Sequence, residues 1–151
     1  MSRRSFLNQI TRCLAIVALA TTFQNSFAEE KVVEVNVFGA GSLEVPASFK
    51  KVAPKSSIIE HEFQAKTGEG KEGETARVTF MAAGGDVKAN IQRWKGQFAG
   101  GKVINRDNYA MAGAILVHPE GRKYFVKMIG PAEVVKANRK SFVSMIKSIN
   151  E

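Results

Sequence analysis

The chain has 151 residues, a formal net charge of +8 at pH 7 and a single cysteine, Cys13. This length suits one domain built around one hydrophobic core. A single cysteine excludes a disulfide scaffold and any site in which several cysteines bind a metal ion.

The first 28 residues have the layout of an export signal peptide. Arg3 and Arg4 make the start basic, residues 13–23 are uncharged and mostly apolar, and Ser26 and Ala28 occupy the small-residue positions that precede a cleavage point. The apolar stretch is shorter than the roughly 20 residues that a transmembrane helix needs. We therefore predict an export signal that is cleaved after Ala28.

Cleavage at this point leaves residues 29–151 as a single domain of 123 residues (151 − 28). The removed segment contains three arginines and no acidic residue, so the net charge falls from +8 to +5. It also contains Cys13, the only cysteine. The mature domain therefore has no cysteine, which excludes thiol catalysis there. The predicted location is periplasmic or secreted, with no transmembrane anchor after signal cleavage.

The segment Ser-Arg-Arg-Ser-Phe-Leu, residues 2–7, resembles the twin-arginine export signal. Asn8 stands where that signal usually has lysine. The weakly apolar stretch that follows also suits the twin-arginine route. A general secretory signal with two chance arginines is the alternative.

Alternating and β-branched residues predict strands in the first half of the mature domain. A polar, glycine-rich loop over residues 66–75 separates two of them and indicates a hairpin. Two prolines exclude a helix from residues 39–57, which are predicted to hold a short strand and an irregular turn. The other predicted strands are residues 31–38, 57–65 and 76–83.

A helix is predicted to follow Gly84 and Gly85, from Asp86 to Phe98, with Asp86 as its N-cap or first-turn acid. Residues 109–118 and 123–130 then form a second hairpin. The last predicted helix runs from Pro131, a favourable first helical residue, to Ile149. Its apolar stripe consists of Val135, Phe142, Met145, Ile146 and Ile149.

These elements predict an α+β domain with a mainly antiparallel β-sheet and two helices packed on it. Two helices on such a sheet usually cover the same face, so the other face is expected to be partly exposed to solvent.

The first helix contains Trp94, the only tryptophan in the chain, between Arg93 and Lys95. At about 100° per residue, Trp94 falls on a narrow arc of apolar residues. We therefore predict that Trp94 anchors the helix in the core and does not form a base-stacking surface for nucleic acid. The arc consists of Val87, Ile91, Trp94 and Phe98.

Three polar side chains, those of Asn90, Arg93 and Gln97, lie together on one shoulder of this arc. With Trp94, they are the candidate binding residues. One role for the shoulder is a structural network with neighbouring backbone, which is the expected role because polar groups at the edge of a core usually find such partners. The other is a surface that contacts a ligand.

Candidate catalytic groups are few. Glu60 and Glu62 could in principle act as an acid–base pair, and strand alternation places both on the face opposite His61. Two exposed glutamates on one strand face are the commoner explanation. No metal-ligand pattern accompanies His61 or His118, and no serine nucleophile motif occurs. No metal and no cofactor are predicted.

Several segments resemble a group of uncharacterised secreted bacterial proteins. They are VPASFKKVAPKSSI, GGDVKANIQRWKGQF with its Asn-x-x-Arg-Trp-x-Gly-Gln motif, AMAGAI, and YFVKMIGPAEVVKANRKSF, which together cover most of residues 43–147. The resemblance implies a PsbP-like α+β sandwich and export, and it implies no activity. Group members usually have a longer connection than residues 99–108, so the sheet is expected to be shortened.

The sequence therefore predicts an exported envelope protein that acts as a non-catalytic binding or scaffolding module. Its positively charged surface favours an anionic ligand, and an envelope protein is the other expected partner. Nucleic acid is not expected as the partner of an exported protein. The alternative is a small periplasmic hydrolase-like enzyme that uses Glu60, Glu62 or His61.

Overall fold

The computed structural model describes residues 32–67, 74–98 and 108–150. The predicted signal peptide lies outside this part of the chain. So do residues 68–73 of the predicted hairpin loop and residues 99–107 of the connection that is expected to be shortened.

The described residues form seven strands and two helices. They follow one another in the order that the sequence predicts, with one extra strand. Their bounds in chain order are β1 Val32–Val37, β2 Gly41–Pro46, β3 Lys50–Val52, β4 His61–Lys66, β5 Thr75–Ala83, α1 Val87–Gln97, β6 Tyr109–Val117, β7 Lys123–Pro131 and α2 Ala132–Lys147.

The strands form two antiparallel sheets, which confirms the α+β prediction. Strands β1 and β2 make a two-stranded sheet, and the other five lie in the order β3-β4-β5-β7-β6. Strand β3 is the extra one, because it forms within a segment predicted to be an irregular turn. Strand β4 begins at His61, four residues later than the predicted start at residue 57.

The main core lies on one face of the five-stranded sheet. Alternate residues of β5 and β7, such as Phe80 and Val126, are fully buried there and pair across the strands. Helix α2 and the two-stranded sheet pack on this face, which we call the core face. Their largest buried contributions are Leu43, Val45, Phe142 and Met145.

Helix α2 begins at Ala132, so Pro131 is the residue before the helix and not the first helical residue. The predicted stripe is broadly confirmed, but Val134 and Asn138 are also buried. The Asn138 amide nitrogen donates to the backbone oxygens of Lys66 (3.0 Å) and Val134 (2.9 Å). A polar residue thus joins α2 to the end of β4.

Helix α1 lies on the opposite face of the sheet, which we call the second face. Its Trp94 ring packs 5.0 Å from the ring of Phe125, whose side chain points away from the core face because strand neighbours alternate. The prediction that both helices cover one face is therefore wrong. Met81 and Phe125 make the second face apolar near β5 and β7, and the Gly84–Gly85 turn carries the chain onto it. Neither helix in the described ranges is long and apolar enough to cross a membrane.

Candidate functional site

The first turn of α1 is fixed by its own polar residues. Asp86 is the N-cap, and its carboxylate accepts a hydrogen bond from the backbone N–H of Ala89 at 2.8 Å. The amide nitrogen of Asn90 donates to the backbone oxygens of Gly84 (3.1 Å) and Asp86 (2.9 Å). These bonds hold the helix start against the glycine turn.

Asn90 is buried, whereas Ile91 is 39% exposed. The predicted apolar arc is therefore rotated: Asn90 lies on the face that contacts the sheet, and Ile91 does not. The rotation follows from hydrogen bonding, because the buried Asn90 amide supplies a partner for the carbonyl of Gly84. Asn90 thus has backbone partners in the glycine turn, and the role of the whole polar shoulder stays a prediction.

Trp94 is 5% exposed, which confirms its predicted burial. Its ring meets that of Phe125 edge to face, at an interplanar angle of 87°. It also lies against Gly113 of β6, where a Cβ atom would be only 3.0 Å from Cζ3 of the indole. A glycine at this position therefore gives the indole room to lie on the strand.

A cavity of about 570 Å³ opens between the start of α1 and the second face of the sheet. We call it the α1 groove. The glycine turn and α1 form one wall, and strands β5 and β7 form the floor. Its lining residues are Met81, Ala83, Gly84, Gly85, Asp86, Ala89, Asn90, Arg93, Phe125 and Lys127.

Lys127 is the unusual charged group in this groove. Its ammonium nitrogen lies 4.5 Å from the ring centre of Trp94 and 5.5 Å from that of Phe125. Within the described part of the chain it forms no ion pair with a carboxylate. Burial lowers the pKa of Lys127, and the positive charge of Arg93 lowers it further. The ammonium is thus stabilised mainly by aromatic rings.

Arg93 brings a second positive charge to the groove. Its guanidinium donates to the side-chain oxygen of Asn90 at 2.6 Å, and this bond fixes the direction of the side chain. Arg93 likewise makes no ion pair among the residues that the structure describes. Among the described residues that line the groove, Asp86 is the only acidic one, and its carboxylate already caps the helix. The groove therefore holds two cations and one anion.

Three of the four candidate binding residues meet at this groove. Asn90 and Arg93 line it, and Trp94 lies beneath the ammonium of Lys127. Gln97 is exposed and is not a lining residue. Lys127 and Phe125 were missed by the sequence-based prediction of the site. The available signal was the alternation of Phe125, Lys127 and Ile129, which sets a lysine between two apolar residues on one face of β7.

Glu62 proves to be buried, with only 1% of its surface exposed. Its carboxylate accepts two hydrogen bonds from Arg77, at 2.6 and 2.9 Å, and one from the backbone N–H of Lys55 at 2.9 Å. The bonds from Arg77 are the main reason that the pKa of Glu62 is lowered. The carboxylate is therefore ionised and fully engaged, and the expectation of an exposed Glu62 is wrong.

Glu60 and His61 lie on the other side of the sheet. The Glu60 carboxylate accepts a hydrogen bond from the Tyr124 hydroxyl at 2.6 Å. The His61 ring stacks edge to face on Phe80, and its Nε2 lies 2.9 Å from the backbone oxygen of Asn36.

The prediction that Glu60 and Glu62 share a face is wrong, because Glu60 precedes the first residue of β4 and does not follow its alternation. The described residues contain no group of three or more histidine, cysteine, aspartate or glutamate side chains that could hold a metal ion.

A comparison with models of protein families and with curated proteins finds no match for this chain.

Proposed function

We propose that this protein is an exported, non-catalytic binding module and that an anionic group of its ligand binds in the α1 groove between Arg93 and Lys127. The observation that carries this proposal is the environment of Lys127. A half-buried ammonium that lies beside a second cation, and has no carboxylate partner in the described residues, is well placed to accept an anion.

An anion in the groove would interact favourably with both cations. Charge–charge interactions are stronger near the low-dielectric interior of a protein than in bulk water. The apolar rings of Trp94 and Phe125 displace water from one side of Lys127, which strengthens its attraction for an incoming anion. Arg93 can offer two parallel N–H donors to a carboxylate or phosphate.

The hydrolase-like alternative has less support. Glu62 is bound by Arg77 on the second face, whereas Glu60 and His61 contact Tyr124 and Phe80 on the core-face side. A general base must reach the proton that it removes, with a pKa near the working pH. The lowered pKa of Glu62 moves it away from that requirement.

Export rests on the sequence of residues 1–28, and the resemblance to secreted bacterial proteins points the same way. An exported module that binds a small ligand or a partner in the envelope needs no cofactor.

Titration of the purified protein with acetate and with phosphate, at fixed ionic strength, tests the anion site. Trp94 gives the only indole N–H signal in an ¹⁵N NMR spectrum, and its ring lies 4.5 Å from the Lys127 ammonium. We expect a saturable shift of this signal. The shift should be lost in Lys127→Met and retained in Lys95→Gln, which removes an exposed α1 charge that does not line the groove. Equal responses of both variants would overturn the proposed site.

A further inference from the structure

The floor of the α1 groove is apolar next to its two cations. Phe125 and Met81 of adjacent strands lie opposite each other in the register, and Ala83 continues the same face of β5. The glycine turn adds backbone without bulky side chains. A ligand whose anionic group reaches Lys127 would therefore place its neighbouring atoms against Phe125 and Met81.

The charge of the groove distinguishes between kinds of anion. Arg93 and Lys127 are positive and Asp86 is negative, so the lining side chains that the structure describes leave a net charge of +1. A carboxylate with one negative charge would neutralise the groove. A phosphate monoester, with close to two negative charges at neutral pH, would exceed the available positive charge and lie near the Asp86 carboxylate.

The size of the groove fits a small molecule. The groove is open to solvent on one side, and its volume of about 570 Å³ lies within the roughly 300–1,000 Å³ of ligand sites. Such sites combine apolar walls with a few polar groups that orient the ligand. Here the polar groups converge at one end of an apolar floor.

We infer that the ligand of the α1 groove is a small organic acid, in which one carboxylate lies between Arg93 and Lys127 and an apolar body packs on Phe125 and Met81. This inference rests on the proposed function and adds the chemical class of the ligand. The carboxylate is inferred from the charge of the groove. The apolar body is inferred from the apolar floor of the groove.

Four probes distinguish the contribution of the carboxylate from that of the apolar body. They are octanoate, acetate, octanol and octyl phosphate, each titrated below its micelle concentration at pH 8. Affinities come from calorimetry and from the indole N–H signal of Trp94. We expect octanoate to bind at least about tenfold more tightly than acetate, since burial of two methylene groups already corresponds to roughly that factor. Octanol and octyl phosphate should each bind more weakly than octanoate.

Two variants test the contacts separately. Lys127→Met keeps the length of the side chain and its packing on the rings but removes the charge, so octanoate should bind about tenfold or more weakly while octanol binds as before. Met81→Gln leaves both cations in place and adds a polar group to the floor. It should weaken octanoate binding and leave acetate binding unchanged. Lys95→Gln is the control for both variants, with thermal unfolding to confirm that each is folded.

The outcomes distinguish this inference from the proposed function. Equal affinity for acetate and octanoate would contradict the apolar body while supporting the anion site. Tighter binding of octyl phosphate than of octanoate would contradict the carboxylate class alone. If octanol binds as tightly as octanoate, or if none of the four probes binds, both the inference and the proposed anion site are wrong.

Discussion

Trp94 joins α1 to the second face of the sheet through contacts with Phe125 and Gly113. Replacing it with alanine removes this attachment, and truncation of a buried large aromatic residue costs about 3–5 kcal/mol. We expect a value near the lower end, because the indole N–H is buried without a hydrogen-bond partner among the described residues. Urea unfolding of Trp94→Ala measures the cost. A loss below about 1 kcal/mol, the usual size of an exposed substitution, would mean that Trp94 is not buried.

Asn90 and Arg93 are neighbours on α1, but they should differ in their effect on stability. Asn90→Ala removes the donor that serves the carbonyl of Gly84, and a buried group left without its partner costs about 1–3 kcal/mol. Arg93→Ala removes an exposed guanidinium whose one hydrogen bond within the described chain goes to Asn90. Its cost should be below about 1 kcal/mol.

Chemical unfolding of the two single variants gives the comparison directly. The sequence pattern predicts a common structural network but not which residue is its centre, since helical periodicity cannot rank two polar neighbours. If Arg93→Ala proves the more destabilising change, Arg93 is the structural residue of this pair and its placement as a ligand contact is wrong.

Among the strands and helices, two glycines make a matched test of packing. A Cβ atom on Gly130 of β7 would lie 2.5 Å from the backbone Cα of Ala76 on β5. Such a clash with backbone forces the strands apart, so Gly130→Ala should destabilise the protein by about 1–3 kcal/mol or more. Gly96 of α1 has open space around it. Gly96→Ala should be neutral or stabilise the protein by up to about 1 kcal/mol.

Thermal unfolding of both variants, with the wild type in parallel, checks this pair. A wild-type unfolding temperature in Gly130→Ala would show that β5 and β7 do not approach each other as closely as the structure has them. A large loss in Gly96→Ala would contradict the exposed position of that residue on α1.

The strands with clear alternation and both helices could be predicted from the sequence, because their periodicity is a local property. Strand β3 could not, since three residues between two prolines carry too little pattern. The face that α1 covers also could not be predicted. It depends on Phe125 and Met81, which are adjacent to each other only through the register of β5 and β7. Lys127 was not predicted as a site residue for the same reason, because its contact with Trp94 depends on the face that α1 covers.

For the molecule as a whole, export is a prediction from residues outside the described structure. The pair Arg3 and Arg4 is the part of the signal that distinguishes the two export routes. If the twin-arginine route is used, replacing both with lysine should leave the uncleaved precursor inside the cell. Fractionation followed by N-terminal sequencing of the exported protein measures this, with Arg12→Lys as the control. The mature protein should begin at Glu29.

Normal export of the double variant would show that the twin-arginine interpretation is wrong and would leave a general secretory signal. A mature N-terminus far from Glu29 would contradict the predicted cleavage site and would change the bounds of the domain.

If the α1 groove binds an anion against Lys127, the pKa of Lys127 must respond to the bound ligand. Burial and Arg93 lower this pKa below its ordinary value of 10.5. A bound carboxylate stabilises the charged ammonium and must raise it again. By linkage, ligand affinity is then greatest below the lowered pKa and falls as pH rises through it.

Carbon-13 NMR of the lysine side chains, with Lys127→Met to assign the signal, gives the pKa of Lys127 with and without saturating octanoate. The predicted result is a pKa below 10.5 in the free protein that rises when octanoate binds. A pKa that stays the same while octanoate saturates the protein would place the ligand elsewhere and contradict the anion site in the α1 groove.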